Sequence, residues 1–144
     1  MTPETRDQTE GANRDEIRES IGMLLELERG TPGVLAAGLK EFRPVEIGEV
    51  LHDFDVEDAA RIIAAMPADQ AAETLTETDP VTREKILDET SKDQISEFVE
   101  ALPPDEGADM LELLDARERR EVLDKIEPEQ ARQLKRLEEY DPES

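Results

Sequence analysis

Residues 79–116, DPVTREKILDETSKDQISEFVEALPPDEGADMLELLDA, decide the fold, because a signal for the start of a helix returns in them every twelve residues. Pro80 and Pro104 carry this signal, since proline is favoured at the first position of a helix, where its missing N–H costs nothing. Residues that can cap a helix precede the starts at 80, 92 and 116; they are Asp79, Ser91 and Asp115. This stretch therefore predicts short helices that begin at residues 80, 92, 104 and 116.

The twelve-residue interval extends along most of the chain. The predicted helix starts are Pro32, Pro44, Val56, Ala68, Pro80, Lys92, Pro104, Ala116 and Pro128, with further caps at Thr31 and Asp55. Seven residues after each start, eight of the nine units have a large aliphatic residue: Leu39, Leu51, Ile63, Leu75, Leu87, Val99, Leu111 and Leu123, with Lys135 in the ninth. Other apolar residues lie three or four positions away, and these spacings belong to one helical face.

Each unit is thus a helix of roughly nine or ten residues, about 14 Å long, followed by a tight turn. Helices this short are not stable alone in water and must pack against their neighbours. A regular repeat makes that packing the same from unit to unit, which predicts an all-α solenoid of short antiparallel helices with layers of about 24 residues. A long coiled coil is disfavoured because proline recurs too often.

The chain ahead of the repeat divides into two predicted segments. Asn13 and Glu16 resemble a capping box, and the apolar stripe that follows, Ile17, Ile21, Leu24 and Leu25, ends near Gly30. Residues 13–30 are therefore predicted to form a capping helix. Residues 1–12 are polar and are expected to be a disordered tail, and residues 31–139 form the predicted repeat domain.

Charge and composition limit the function. The chain has 39 Asp and Glu against 17 Lys and Arg, a net charge of -22 that disfavours nucleic acid and anionic lipid as partners. Adaptation to a saline cell explains such acidity equally well. Cysteine is absent, which excludes disulfides and thiolate metal sites, and no apolar run approaches the roughly 18 residues of a membrane-spanning helix. A soluble, cytosolic domain is expected.

Catalytic motifs are missing, so we do not expect an enzyme. There is no glycine-rich phosphate loop, no nucleophile elbow and no His-Glu-x-x-His sequence. The single histidine, His52, is interpreted as a helix-terminal residue near the negative end of a helix dipole rather than as a ligand or a base.

Carboxylates are the remaining candidates for chemistry. Asp105 and Asp109 are four residues apart, so they project from one helix face with no basic residue between them. Two like charges at this spacing repel each other, and a divalent cation would reverse that cost. The pair is a candidate cation site, although a solvated acidic face has the same pattern.

Several short motifs resemble the N-terminal domain of MgtE-type magnesium transporters. The resemblance covers residues 51–144, and its order and spacing make it more specific than any one motif. The motifs are Leu51-His52-Asp53-Phe54-Asp55, Gln70-Ala71-Ala72-Glu73-Thr74-Leu75 followed by Asp79-Pro80, Leu102-Pro103-Pro104-Asp105-Glu106-Gly107-Ala108-Asp109, and Tyr140-Asp141-Pro142-Glu143-Ser144.

The resemblance implies a right-handed superhelix on the cytoplasmic side of the cell membrane, joined to CBS domains and then to a dimeric pore. Residues 140–144 would begin the linker toward the CBS domains. In that family Mg2+ binds between the acidic face of this domain and the CBS domains, and docking favours the closed pore. Transferred position by position, the metal ligands are Glu73, Asp105 and Asp109. Mg2+ would bind weakly as a regulator, and the isolated domain is expected to be a monomer.

A protein-binding scaffold is the alternative function. The flagellar switch protein FliG has related short-helix repeats, and the inner face of a solenoid commonly binds peptides or partner helices. In that case the acidic residues would have no metal role.

Overall fold

The computed structural model describes the backbone of residues 3–139 and the side chains of residues 14–137, and in these residues all regular structure is helical. The predicted linker at 140–144 lies outside the described residues. The helices are α1 (Pro3–Glu28), α2 (Val34–Leu39), α3 (Pro44–Val50), α4 (Val56–Ala64), α5 (Ala68–Glu77), α6 (Pro80–Glu89), α7 (Lys92–Ala101), α8 (Pro104–Glu112), α9 (Ala116–Lys125) and α10 (Pro128–Glu139), with a single 3-10 turn at Leu51–Asp53.

The starts of α3 to α10 coincide with eight of the nine predicted positions. Three predicted caps make their hydrogen bonds: Asp79 accepts from the Thr82 N–H at 3.0 Å, Ser91 from Gln94 at 3.1 Å and Asp115 from Glu118 at 2.8 Å. Asp55 occupies the N-cap of α4 but makes no side-chain cap bond. Local chemistry thus accounts for where most of these helices begin.

The N-terminal part departs from the predicted boundaries. The helix predicted over residues 13–30 begins at Pro3 and ends at Glu28, so Asn13 lies inside it rather than at its N-cap. The helix predicted to start at Pro32 begins instead at Val34, because Gly33 has a φ of 96° and cannot continue a right-handed helix. Thr31 is consequently not the N-cap of α2.

Glu28 explains this turn, because its carboxylate holds the start of α2 against the end of α1. Oε1 accepts hydrogen bonds from the N–H of Leu35 at 2.9 Å and of Gly33 at 3.1 Å. These backbone hydrogen bonds lower the pKa of Glu28 below its usual 4.5, with a smaller contribution from the charge of Arg61. The contact joins residues seven apart in the chain, so it stabilises a turn that no local helix signal predicts.

Acid should therefore weaken the junction between α1 and α2. A carboxylate whose folded-state pKa is lowered stabilises the fold fully above its unfolded pKa and loses this effect as the pH falls through the folded pKa. The melting temperature of the parent should exceed that of Glu28→Gln near pH 6, and the difference should shrink toward about pH 3. Glu26→Gln, a neighbouring exposed substitution, serves as the control; a Glu28→Gln difference that is the same at both pH values would contradict the prediction.

From α3 onward, packing joins most helices mainly to the next but one, whereas α1 and α2 pack mainly on each other. Among the odd-numbered helices, α1 packs on α3, α3 on α5, α5 on α7 and α7 on α9, while α4 packs on α6 and α8 on α10. The eight aliphatic residues predicted for the core, Leu39, Leu51, Ile63, Leu75, Leu87, Val99, Leu111 and Leu123, are all buried. The exposed carboxylates therefore lie on the outer surfaces of a continuous apolar core.

Candidate functional site: an acidic stripe on α8

Helix α8 presents its carboxylates to solvent because its opposite side packs closely. Gly107 and Ala108 are buried between Asp105 and Asp109, and a Cβ on Gly107 would lie 3.3 Å from both Leu134 Cδ2 and the Val99 carbonyl oxygen. The helix thus sits tightly against α7 and α10. Asp105 and Asp109 are left exposed on the outer side.

Asp105 also has a structural role. Pro103, the N-cap of α8, has no side chain that can accept a hydrogen bond from the first turn. Asp105 and Glu106 lie in that first turn, where a negative charge interacts favourably with the helix dipole. Part of the acidity at this end of α8 is therefore explained by helix stability alone.

Asp105 and Asp109 have no ion-pair partner in the part of the chain that has described side chains. Neither Asp105 nor Asp109 makes an ion pair or a side-chain hydrogen bond with residues 14–137. Glu112, exposed and three residues after Asp109, extends the same side of the helix. The sequence interpretation omitted Glu112, although its spacing indicates this position.

Glu73 lies on a different helix from Asp105 and Asp109. It is exposed on α5, which packs on α3, α4 and α7, whereas α8 packs on α7 and α10. Within residues 14–137 no three His, Cys, Asp or Glu side chains are grouped closely enough to hold a metal ion. The domain by itself thus presents Asp105 and Asp109 as a pair and Glu73 as a separate carboxylate.

His52 lies in the 3-10 turn directly after α3, which agrees with the predicted position near a helix terminus. Its Nε2 is 3.4 Å from Oδ1 of Asp53, and Glu49, Glu77 and Asp79 line the shallow depression beside it. The pKa of Asp79 is lowered mainly by the backbone and side-chain hydrogen bonds from Thr82, with a smaller effect of His52. These carboxylates include a helix cap, so the cluster has a structural explanation.

Comparison with known proteins gives a family and a fold. The family model described as the MgtE intracellular N domain matches residues 42–143. No curated protein matches the chain. A solved structure, the cytosolic domain of the Mg2+ channel MgtE in complex with ATP, is similar with a TM-score of 0.67 and 21% identity over 86% of this chain.

The similarity to this solved structure concerns the fold and part of that structure's length. At 21% identity the solved structure supports the all-helical fold and does not by itself transfer any site. The chain spans 50% of the length of that structure, so it corresponds to only part of it. In the described residues, no helix is both long enough and apolar enough to cross a bilayer.

Proposed function

Because the chain belongs to the family of MgtE intracellular N domains, we propose that it is the cytoplasmic, Mg2+-sensing regulatory domain of a magnesium channel or transporter. The observation that carries this proposal is the stripe on α8. Asp105 and Asp109 are exposed, lie one turn apart and form no ion pair with the described side chains. A domain with a net charge of -22 that leaves such a pair uncompensated is suited to a cation ligand.

Mg2+ fits this donor set because it prefers oxygen ligands and keeps several of its waters when bound to proteins. Asp105 and Asp109 would supply one or two carboxylate ligands, and waters or a facing acidic surface would supply the rest. Glu73, being separate from this pair, would contribute to a second contact. Binding of this kind is weak, as a sensor of a millimolar ion requires.

The ion would act by neutralising charge. Two acidic surfaces repel each other until a divalent cation lies between them, so ion binding and surface docking strengthen each other reciprocally. The facing surface in this proposal is that of CBS domains in the same full-length chain, and docking would favour the closed pore. The full-length protein would be a homodimer in the membrane, and the isolated domain a monomer.

We also propose the finer architecture that suits this role. The packing of most helices on the next but one is what stacked antiparallel pairs produce, and it supports a superhelix with layers of about 24 residues. The right-handed sense of this superhelix is proposed from the family resemblance alone. In such an array Asp105 and Asp109 would lie on an outer face, where a second domain can approach.

Mg2+ should raise the thermal stability of the domain more than NaCl at the same ionic strength. Monovalent salt screens the whole charge, whereas a specific site adds a term that grows with the ratio of ligand concentration to dissociation constant. Since the facing surface is absent from the isolated domain, the excess should be on the order of 1 kcal/mol or less at tens of millimolar Mg2+. Melting curves in MgCl2 and in matched NaCl measure it.

The double substitution Asp105→Asn with Asp109→Asn should abolish this excess. For each variant, the quantity compared is the stability in MgCl2 minus the stability in NaCl. This difference is used because removal of Asp105 also weakens the interaction with the helix dipole, and it does so in both salts. Glu97→Gln with Glu100→Gln on α7 changes the net charge equally and should keep the excess. An excess unchanged by the α8 substitutions, or removed equally by the α7 pair, would show that these aspartates are ordinary solvated residues.

A further inference from the structure

The row of even-numbered helices is interrupted in the middle. Helix α6 packs on α4 and α8 packs on α10, but in the described part of the chain α6 and α8 have only slight contact with each other. A cleft of about 310 Å³ opens there, between α6 and the junction of α8 with α9. Its apolar lining residues are Pro80, Leu87, Leu113 and Leu114, of which Leu87 and Leu114 are buried. The odd-numbered helices have no such interruption.

Arg83 distinguishes α6 from α3 and α7. It is the fourth residue of its helix, a position that Ile47 and Ile95 fill with buried aliphatic side chains in α3 and α7. The Arg83 guanidinium instead donates to the carbonyl oxygens of Leu75 at 3.4 Å and Thr78 at 3.5 Å, at the end of α5. Helix α6 buries only Ile86 and Leu87, and Val81 at its second position is 64% exposed.

The rim of the cleft carries uncompensated negative charge. Glu84 and Asp88 are exposed, four residues apart on α6, and neither forms an ion pair with the described side chains. The other two carboxylates that line the cleft, Asp115 and Glu118, already have partners. They form the capping box of α9, and Glu118 also lies 3.5 Å from Lys92 Nζ. Glu84 and Asp88 are thus the charges available to a partner.

We propose that this cleft is a docking groove for a basic amphipathic helical segment of a protein partner. An aliphatic or aromatic side chain of the partner would contact Pro80 and Leu113, and Lys or Arg residues about one turn apart would pair with Glu84 and Asp88. The opposite charges and the apolar floor together favour this occupant over a free cation, which would need no apolar surface. The groove shares no residue with the α8 stripe, so it does not depend on a metal role.

Peptide display tests this proposal. A library of random peptides of about 16 residues is selected for binding to the 144-residue domain. The enriched sequences should place Lys or Arg about four residues apart beside Leu, Ile or Phe. Binding of a selected peptide should shift the NMR signals of Val81, Leu87 and Leu113. Failure to enrich basic amphipathic peptides, or shifts centred on Asp105 and Asp109, would overturn the proposal.

Charge-reversal variants distinguish peptide binding at the groove from attraction to the overall negative charge of the domain. Glu84→Lys with Asp88→Lys should weaken the selected peptide at least about tenfold, whereas Glu97→Lys with Glu100→Lys, which changes the net charge equally, should have an effect of about twofold or less. Leu113→Ala should weaken binding without any change in charge. If the lysine variant does not fold, Glu84→Ala with Asp88→Ala takes its place. Equal losses for the α6 and α7 pairs would mean that only the overall field attracts the peptide.

Discussion

Replacing Leu111 with alanine should lower the free energy of unfolding by about 2–5 kcal/mol. The Leu111 side chain is 0% exposed and lies in α8, a helix of nine residues between α7 and α10. A helix of this length does not persist in water without tertiary contacts. Loss of three buried side-chain carbons therefore removes apolar contact area and leaves a cavity beside a helix whose stability depends on its tertiary contacts.

Urea unfolding followed by circular dichroism measures this change. Val81→Ala is the matched control, since Val81 is 64% exposed on α6 and its truncation should change the stability by no more than about 0.5 kcal/mol. A Leu111→Ala effect as small as that of Val81→Ala would show that the assigned core face of α8 is wrong.

Introducing a methyl group at Gly48 should destabilise the domain by about 1–3 kcal/mol, although alanine is the better helix former. Gly48 lies in α3 where this helix crosses α5. A Cβ there would be 2.9 Å from Glu77 Cβ, 3.1 Å from the Glu77 carbonyl carbon and 3.1 Å from the Thr74 carbonyl oxygen. Because two of these atoms are backbone, α3 and α5 would have to move apart.

Gly22→Ala provides the comparison for Gly48→Ala. A Cβ at Gly22 would be 3.9 Å from Phe54 Cε1, an ordinary van der Waals distance, so the variant should be neutral or more stable by up to about 1 kcal/mol. Chemical denaturation of both variants gives the two values. If both glycines tolerate alanine equally, the close approach of α3 and α5 does not limit the packing.

The sequence predicts the helices well wherever a local signal marks them. Proline at a helix start and a capping side chain before it act within one turn, so the starts from Pro44 to Pro128 follow from neighbouring residues alone. The start predicted at Pro32 was wrong because the Glu28 carboxylate, seven residues before Leu35, sets the turn at Gly33. Such a contact depends on how two helices meet, which the local pattern does not contain.

The same distinction applies to the candidate site and to the groove. Asp105 and Asp109 share a helix face, and their spacing alone predicts this arrangement. The position of Glu73 relative to them depends on which helices pack together, and only a family resemblance linked the three residues in advance. Arg83 stands where α3 and α7 have a buried isoleucine, yet only the structure reveals that its guanidinium donates to the end of α5 and lines a cleft beside α6.

The packing of each helix on the next but one has a kinetic consequence. Side-chain hydrogen bonds join Gln70 to Leu39 and Gln130 to Glu100, across 31 and 30 positions of the chain, and ion pairs join Lys125 to Asp93 and Arg18 to Asp53 over a similar range. Contacts of such short range close small loops, whose entropic cost is low, and proteins rich in them fold in microseconds to milliseconds. The two ends of the chain need never meet during folding. Folding can therefore start at any pair of neighbouring helices and proceed toward both ends of the chain.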